Sequence, residues 1–432
     1  MSLLFKNCRI LETRNGDFHE IENGYLGVEG NTIDYIGEMP PEKIYEEERD
    51  MSGKLLMPGL INTHTHTPMT LLRGVGSDTT LQTWLFEHIF PVEDRLTEAD
   101  VELGSRLAIL EMLSTGTTSF SDMYFMCGGT IRAVAESGIK ANIGRPVQSF
   151  DENEDPASAR MVRESLEIFQ MWNGAEDGRI RADFSIHAEY TCKTPMARAY
   201  SRMCNERGGN MHIHLSETRK EHQECLERYG MTPAAWFESV GAFSSRAFAA
   251  HCVAVTDQDI EILKKHNVGV VHNPSSNMKL GSGFSPVQKM LSSGVTVGLG
   301  TDGAASNNNL NMFEEMHLAS IIHNGHTCDP TVMKPADVLK MATINGARIQ
   351  GRDDTGELAA GKKADVIALD LSAPHLRPNC DTLALLCYSA QGSDVCMTMV
   401  DGQILYENGQ FFTLEKEQIY ADVQSAVERL YK

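Results

Sequence analysis

Apolar and polar positions alternate in short runs at both ends of the chain, a pattern typical of antiparallel strands. The runs at the start cover residues 2–11, 24–30 and 31–38, and those at the end cover residues 364–371 and 396–412. Turn-forming Asn and Gly residues separate them, and an amphipathic, helix-like segment closes the chain. Because chain termini often lie close together, the two ends are predicted to form one small β-sandwich domain, residues 1–57 plus 360–432, which includes the C-terminal helix.

The middle of the chain has a different pattern, in which apolar runs of strand type alternate with segments of helical periodicity. The candidate strands cover residues 60–66, 117–123, 140–147, 182–189, 211–217, 248–253, 268–274 and 295–302. Eight strands that are each followed by a helix predict an α/β fold, a (β/α)8 TIM-like barrel over residues 58–359.

Composition narrows the classes of partner. The formal net charge of the 432 residues is -21, which disfavours binding to nucleic acid or to an anionic membrane surface. No run of 18 apolar residues predicts a transmembrane helix, and the first residues lack the apolar stretch of a signal peptide. The ten cysteines include no CxxC pair, so we expect reduced thiols in a cytoplasmic protein.

Polar residues stand where the predicted barrel strands end. The strand-end residues, in chain order, are His64, His66, His187, His214, His251, His272 and Asp302. The carboxyl ends of barrel strands converge on one mouth, where active sites of this fold are built. The sequence therefore predicts that these side chains meet.

His64 and His66 form an H-x-H pair, and the two-residue period of a strand places both rings on one face. Two such imidazoles bind one metal ion, although a pair of hydrogen-bonded core histidines is the alternative. His214 and Asp302 would complete a set of three nitrogens and one oxygen, with a cap or turn role as the alternative for Asp302. This set suits Zn²⁺, with Fe²⁺ or Mn²⁺ as alternatives.

Three further residues have two interpretations each. Glu217 lies three positions after His214 and is either a general acid/base or a helix-capping carboxylate. His251 either orients a water nucleophile or is a buried neutral histidine, and His272 is either part of the site or structural.

Motifs of other hydrolytic sites are absent. His187-Ala-Glu189 matches the first half of the H-x-E plus P-C-x-x-C signature of one class of zinc deaminase, but no P-C-x-x-C follows. No G-x-S-x-G nucleophile elbow occurs, and the glycine-rich stretch 280–285 lacks the lysine of a P-loop.

Several stretches resemble the amidohydrolase superfamily, and within it the S-adenosylhomocysteine/5'-methylthioadenosine deaminases. They cover residues 58–74, 83–101, 115–125, 212–218, 272–283, 298–312 and 356–370, almost the whole length of the chain. The resemblance implies His64, His66, His214 and Asp302 as metal ligands. No lysine ends the fourth strand, where some relatives carry a metal-bridging carboxylated lysine, so a mononuclear site is expected.

The same resemblance implies the catalytic and substrate-binding residues. Glu217, His251 and Asp302 would be catalytic, with Glu217 also contacting the substrate base. The other substrate contacts would be Glu93 at the ribose hydroxyls, Trp84 at the pocket wall, His187 at the nucleoside, and Arg145 with Arg160 at the distal part of the substrate. Arg163 is the alternative to Arg160, since residues 149–165 do not align cleanly.

The expected activity is metal-dependent hydrolytic deamination of the adenine base of S-adenosylhomocysteine, 5'-methylthioadenosine or adenosine. The partner is then a small-molecule nucleoside, and whether the chain forms a homo-oligomer stays open. One alternative is deamination of another base, such as guanine, 8-oxoguanine, a pterin or a triazine. The other is a non-catalytic interaction protein on the same fold.

Overall fold

The computed structural model describes residues 2–79 and 83–431. Five strands come first: β1 (Ser2–Arg14), β2 (Asp17–Glu29), β3 (Thr32–Gly37), β4 (Glu47–Asp50) and β5 (Lys54–Pro58). The first turn is a two-residue hairpin in which Asn15 and Gly16 both have positive φ, 55° and 79°. This is the turn geometry that matches the twist of paired strands, and Asn-Gly is its preferred sequence.

Eight parallel strands follow and form the barrel. They are β6 (Leu60–Thr65), β7 (Thr117–Met123), β8 (Lys140–Val147), β9 (Ile180–Ile186), β10 (Met211–Leu215), β11 (Ala247–His251), β12 (Gly269–His272) and β13 (Val297–Leu299). The barrel prediction is confirmed, although the last strand is only three residues long. The chain leaves the ladder after Leu299, and Asp302 adopts a left-handed φ of 61°.

Four strands near the end of the chain complete the second sheet: β14 (Val366–Asp370), β15 (Val395–Val400), β16 (Gln403–Glu407) and β17 (Gln410–Phe411). β14 pairs antiparallel with β5, and β5 pairs with β1, so both chain ends enter one nine-stranded sheet. The sheet folds over a core of its own, and the turn at Asn31 contacts Ala364 by a backbone hydrogen bond. A second domain built from both chain ends is thus confirmed.

Helices surround the barrel. The α-helices are Phe90–Glu93, Glu98–Ser114, Cys127–Ser137, Arg160–Trp172, Thr194–Glu206, Arg219–Tyr229, Pro233–Ser239, Asp257–Lys265, Pro274–Lys279, Val287–Ser293, Met312–Thr327, Pro335–Ala342, Ile344–Gln350, Thr382–Tyr388 and Lys416–Leu430. The 3-10 helices are Thr67–Leu72, Glu176–Gly178, Glu189–Thr191, Pro374–Leu376 and Gly392–Asp394, and Trp84–Ile89 is a π-helix. Reciprocal capping boxes start three of the α-helices, at Thr97, Thr218 and Thr256. Within the described residues, no helix combines the length and the apolarity that crossing a membrane requires.

Two features join the two domains. The ammonium of Lys140, at the start of β8, lies 2.5 Å from the Asp365 carboxylate just before β14, and both are 3% exposed. The C-terminal helix packs Leu430 into an apolar cluster with Leu72 and Trp84, immediately after the first barrel strand. The wall near the barrel mouth therefore includes a part of the C-terminal segment.

Candidate metal centre

His64 lies on β6, and His66 directly follows the last residue of that strand, Thr65. The ring centroids of His64 and His66 are 4.9 Å apart, and that of His214 is 4.9 Å from His64 and 5.4 Å from His66. Each ring comes from a strand end on the inside of the barrel, so the fold brings three imidazoles together from two strands.

Backbone carbonyls fix two of these rings. Nδ1 of His66 donates to the carbonyl of Met123 at 2.5 Å, and Nδ1 of His214 donates to the carbonyl of His187 at 2.8 Å. A carbonyl only accepts, so Nδ1 carries the proton and Nε2 keeps its lone pair. This arrangement prepares histidines as metal ligands through Nε2.

His64 is held differently, because its Nδ1 lies 2.8 Å from Nε2 of His212. His212 is fully buried one layer deeper in the barrel and stacks on Phe248 with ring centroids 4.1 Å apart. Nε2 of His64 is buried and finds no hydrogen-bond partner in the described part of the chain. A buried, unpartnered nitrogen at the centre of the cluster is the position at which a bound ion would supply the missing contact.

Asp302 supplies the carboxylate. Its Oδ1 lies 3.5 Å from Nε2 of His64 and 3.3 Å from Nε2 of His66. Its Oδ2 accepts hydrogen bonds from the hydroxyls of Ser276 at 2.6 Å and Ser306 at 2.8 Å. The serines fix Oδ2, whereas Oδ1 accepts the N–H of Gly303 at 2.7 Å and faces the imidazoles.

The donor set fits a divalent cation. Potential ligand atoms of His64, His66 and His214 lie within 4.8 Å of one another, and so do those of His64, His251 and Asp302. Burial lowers the pKa of His64 to about 4, so this ring is neutral at pH 7, the form that binds metal.

His251 borders the same space. It ends β11 with a φ of 73°, and its ring centroid lies 5.5 Å from those of His64 and His214. Its Nδ1 donates to the side-chain oxygen of Asn277 at 2.9 Å, which leaves Nε2 as an acceptor.

Glu217 follows β10 on a turn that is held by another carboxylate. The Glu221 side chain accepts the backbone N–H groups of Ser216 at 2.8 Å, Glu217 at 2.7 Å and Thr218 at 3.4 Å. Ser216 has a φ of 45°, so the turn takes a strained conformation that these bonds maintain. Burial raises the pKa of Glu217, which favours a carboxyl that holds a proton.

Glu93 and Trp84 both lie on the segment that follows β6. The Glu93 carboxylate accepts the hydroxyl of Tyr124 at 2.5 Å, and the Tyr124 ring lies 6.5 Å from that of His66. Trp84 is buried in the apolar cluster with Leu72, and its Nε1 donates to the carbonyl of Val75. Glu93 therefore reaches the metal-centre side of the mouth through Tyr124, whereas the polar group of Trp84 is already bonded within its own segment.

The two arginines expected at the distal end also meet. Nε of Arg145 donates to one oxygen of Glu164 at 3.0 Å, and Nε of Arg160 donates to the other at 2.6 Å. Arg163 is exposed, and residues 2–79 and 83–431 offer its side chain no ion pair or hydrogen bond. The geometry thus favours Arg160 over Arg163 as the companion of Arg145.

The remaining histidines divide between the site and the core. The ring of His187 lies 4.9 Å from that of His214, and burial lowers its pKa to about 4. His272 instead places Nε2 3.1 Å from Nε2 of His323 on a barrel helix. This buried pair gives His272 the structural role that the sequence left open.

Sequence reasoning missed three kinds of residue. His212 stands two positions before His214, so the same H-x-H signal was visible, but its depth in the barrel was not. Glu221 was visible as the fourth position of a T-x-x-E capping box. Ser276 and Ser306 had no local signal, because only the tertiary fold brings them to Asp302.

These features define a (β/α)8 barrel whose mouth carries a three-histidine, one-aspartate site that fits a divalent cation. The chain belongs to the amidohydrolase family, whose model matches residues 55–405. Among its relatives, a 5-methylthioadenosine/S-adenosylhomocysteine deaminase of Caldanaerobacter subterraneus subsp. tengcongensis is 42% identical over 433 residues, covering 100% of this chain and 99% of the relative. A 5'-deoxyadenosine deaminase of Methanosarcina acetivorans is 42% identical over 429 residues, covering 99% and 98%. The crystal structure of an adenosine deaminase from Xanthomonas campestris with bound zinc superimposes with a TM-score of 0.94 at 30% identity, covering 99% of this chain and 98% of that one.

Proposed function

We propose that this protein hydrolytically deaminates the adenine base of an adenosine-type nucleoside at C6 and releases ammonia. One observation supports the chemistry most directly: the half-buried carboxyl of Glu217, whose pKa is raised by desolvation, stands on the turn that follows the metal-ligand candidate His214. The relatives support the substrate class, since those compared above are named for deamination of adenosine, 5'-deoxyadenosine, methylthioadenosine or S-adenosylhomocysteine.

We propose one Zn²⁺ held by His64, His66, His214 and Asp302. Three imidazoles and one carboxylate are ligands that zinc favours, and the zinc-bound structural relative agrees with this choice. When bound, the ion would lower the pKa of a water molecule toward about 7 and so supply a nucleophile near neutral pH.

The residues of the chain would carry the protons. Nε2 of His251 accepts a hydrogen bond from the attacking water and orients it toward C6, because Nδ1 is committed to Asn277. Oδ1 of Asp302 takes a proton from that water, since the serines occupy Oδ2. Glu217 donates its proton to N1, so the ring accepts the electron pair as the new C6–O bond forms. The proton held by Asp302 then passes to the amino group, the C6–N bond breaks and ammonia leaves, and the C6 hydroxyl returns its proton to Glu217 as the C6=O bond forms.

The rest of the nucleoside would extend along the mouth. Glu93 is proposed to bind the ribose hydroxyls beside Tyr124, with Trp84 behind it in the pocket wall. His187, neutral at pH 7, is proposed to contact the nucleoside next to His214. Arg145 and Arg160 would face the substituent at the 5' position.

A substrate panel on zinc-loaded protein tests this function. Adenosine, methylthioadenosine, S-adenosylhomocysteine and guanine would be compared by ammonia release and by the change in base absorbance. Glu217→Gln should lower kcat by roughly 10²–10⁴ with metal content unchanged, the range of a lost general acid. Glu227→Gln, an exposed change on the next helix, should leave kcat unaltered. Turnover of guanine without turnover of any adenosine-type compound would overturn the proposal.

A further inference from the structure

Arg145, Arg160 and Glu164 form a triad in which one carboxylate joins two guanidinium groups. Each oxygen of Glu164 accepts the Nε–H of a different arginine. Carboxylates are the ligands that arginine pairs recognise best, so Glu164 makes the contacts that a carboxylate ligand would make. Its pKa is lowered by hydrogen bonds from the two arginines, against the opposing effect of burial.

The triad leaves few donors free on its inner arginine. The Arg145 side chain is 9% exposed, and besides Nε its Nη1 is engaged by the carbonyl of Pro146 at 2.7 Å. The Arg160 side chain is 79% exposed and keeps both terminal nitrogens available. An incoming carboxylate would therefore find no unoccupied bidentate edge on Arg145 unless Glu164 moved away.

The position of Glu164 follows from the start of its helix. The helix Arg160–Trp172 begins at Arg160, so Glu164 lies one turn later on the same face, at the i,i+4 spacing that lets side chains pair. This pairing holds Arg160 beside Arg145. Arg163, which directly precedes Glu164, lies on another face of the helix.

We propose that Glu164 is a specificity-determining residue, an internal carboxylate that favours substrates with an uncharged 5' substituent over substrates that carry an amino-acid carboxylate. This inference rests on the proposed deamination and on Arg145 and Arg160 facing the 5' substituent. An uncharged methylthio group leaves the triad intact. The carboxylate of S-adenosylhomocysteine must displace Glu164 from the arginines or bind beside its like charge, and both cost affinity.

The test compares methylthioadenosine with S-adenosylhomocysteine in the zinc-loaded enzyme and its variants. Both substrates carry the same adenine, so the ratio of their kcat/KM values isolates recognition of the 5' substituent. Glu164→Gln removes the charge at nearly constant shape. It should raise kcat/KM for S-adenosylhomocysteine by at least about threefold, the scale of one partly exposed ion pair, with methylthioadenosine nearly unchanged.

Two further variants control the result. Glu167→Gln makes the same charge change on the same helix at an exposed position, and it should leave the ratio as in the wild type. Adding Arg160→Ala to Glu164→Gln should cancel the gain, because the released guanidinium is what binds the substrate carboxylate.

Three results separate the possibilities. If the wild-type enzyme deaminates neither of these nucleosides nor adenosine, the proposed function fails. If it deaminates both and Glu164→Gln leaves their ratio unchanged, only the specificity role of Glu164 fails. A selective fall for S-adenosylhomocysteine would also overturn the inference, since it would show that Glu164 binds the α-ammonium group of that substrate.

Discussion

Replacing Glu221 should impair catalysis without touching the substrate or a metal ligand. Its carboxylate receives the N–H groups of Ser216 and Glu217 at 2.8 and 2.7 Å, with a longer contact to Thr218. Glu221→Gln keeps one oxygen and turns an amide NH₂ toward one of these donors. Leaving a buried N–H without an acceptor costs about 1–3 kcal/mol, so the free energy of unfolding should fall by this amount.

The same change should alter the position of the Glu217 carboxyl. The turn at Ser216 lies in the left-handed region and relaxes when its N–H groups lose their acceptor. A displacement of about 1 Å of a catalytic group costs up to about 10²-fold, so kcat should fall by roughly 10- to 100-fold. KM and the zinc content should change little, because Glu221 reaches neither substrate nor ion.

The assay combines steady-state kinetics, metal analysis and chemical unfolding. Asp259→Asn is the matched control, since Asp259 occupies the equivalent position of the capping box at Thr256 and is also buried. It should lower stability and leave kcat near the wild-type value. If Glu221→Gln loses as much stability as Asp259→Asn and keeps full kcat, the turn does not position Glu217 and the reasoning is wrong.

Three further predictions concern stability. Removing the ion with a chelator should abolish activity and lower Tm, and added zinc should restore both. The bound ion should contribute up to about 4 kcal/mol to the free energy of unfolding when free Zn²⁺ exceeds Kd a thousandfold. An unchanged Tm would contradict the site. Lys140→Met should cost about 3–5 kcal/mol in urea unfolding by stranding the buried carboxylate of Asp365, whereas the control Lys363→Met at a half-buried, longer contact should cost under about 1 kcal/mol. Burial raises the pKa of Glu315 from 4.5 to about 8, so the folded state holds a proton that the unfolded chain releases, and stability from this group falls as pH rises across that window. As pH rises from 5 to 8, the free energy of unfolding of Glu315→Gln should therefore increase relative to that of the wild type. A relative decrease would refute the assignment.

The parts of the molecule that local periodicity determines were predictable. The H-x-H spacing of His64 and His66 and the apolar runs before each strand-end residue were sufficient to predict a barrel with a polar mouth, and the fold is confirmed. The turn at Asn15 and Gly16 was predictable for the same reason, since a two-residue hairpin needs positive φ at both positions. The catalytic and substrate roles of the site residues stay predictions.

The parts that depend on register or depth were not predictable. The choice between Arg160 and Arg163 required the first residue of a helix, and helix boundaries are the least certain feature of a sequence-based assignment. Because the helix begins at Arg160, the four-residue spacing places Arg160 beside Glu164. His212 shows the other limit, because two histidines on one strand face look alike in sequence while one lines the mouth and the other supports it.

The proposed metal site lies on the seam at which the barrel closes. The residues that follow the short strand β13 form hydrogen bonds to β6. The N–H of Asp302 donates to the carbonyl of His64 at 2.9 Å, and the N–H of Thr301 donates to the side-chain oxygen of Asn62 at 3.0 Å. An ion bound to His64 and Asp302 would therefore link both sides of this seam directly. Because the seam has few strand-to-strand bonds of its own, the ion should stabilise barrel closure as well as supply the chemistry, and this is why its removal is expected to lower Tm and activity together.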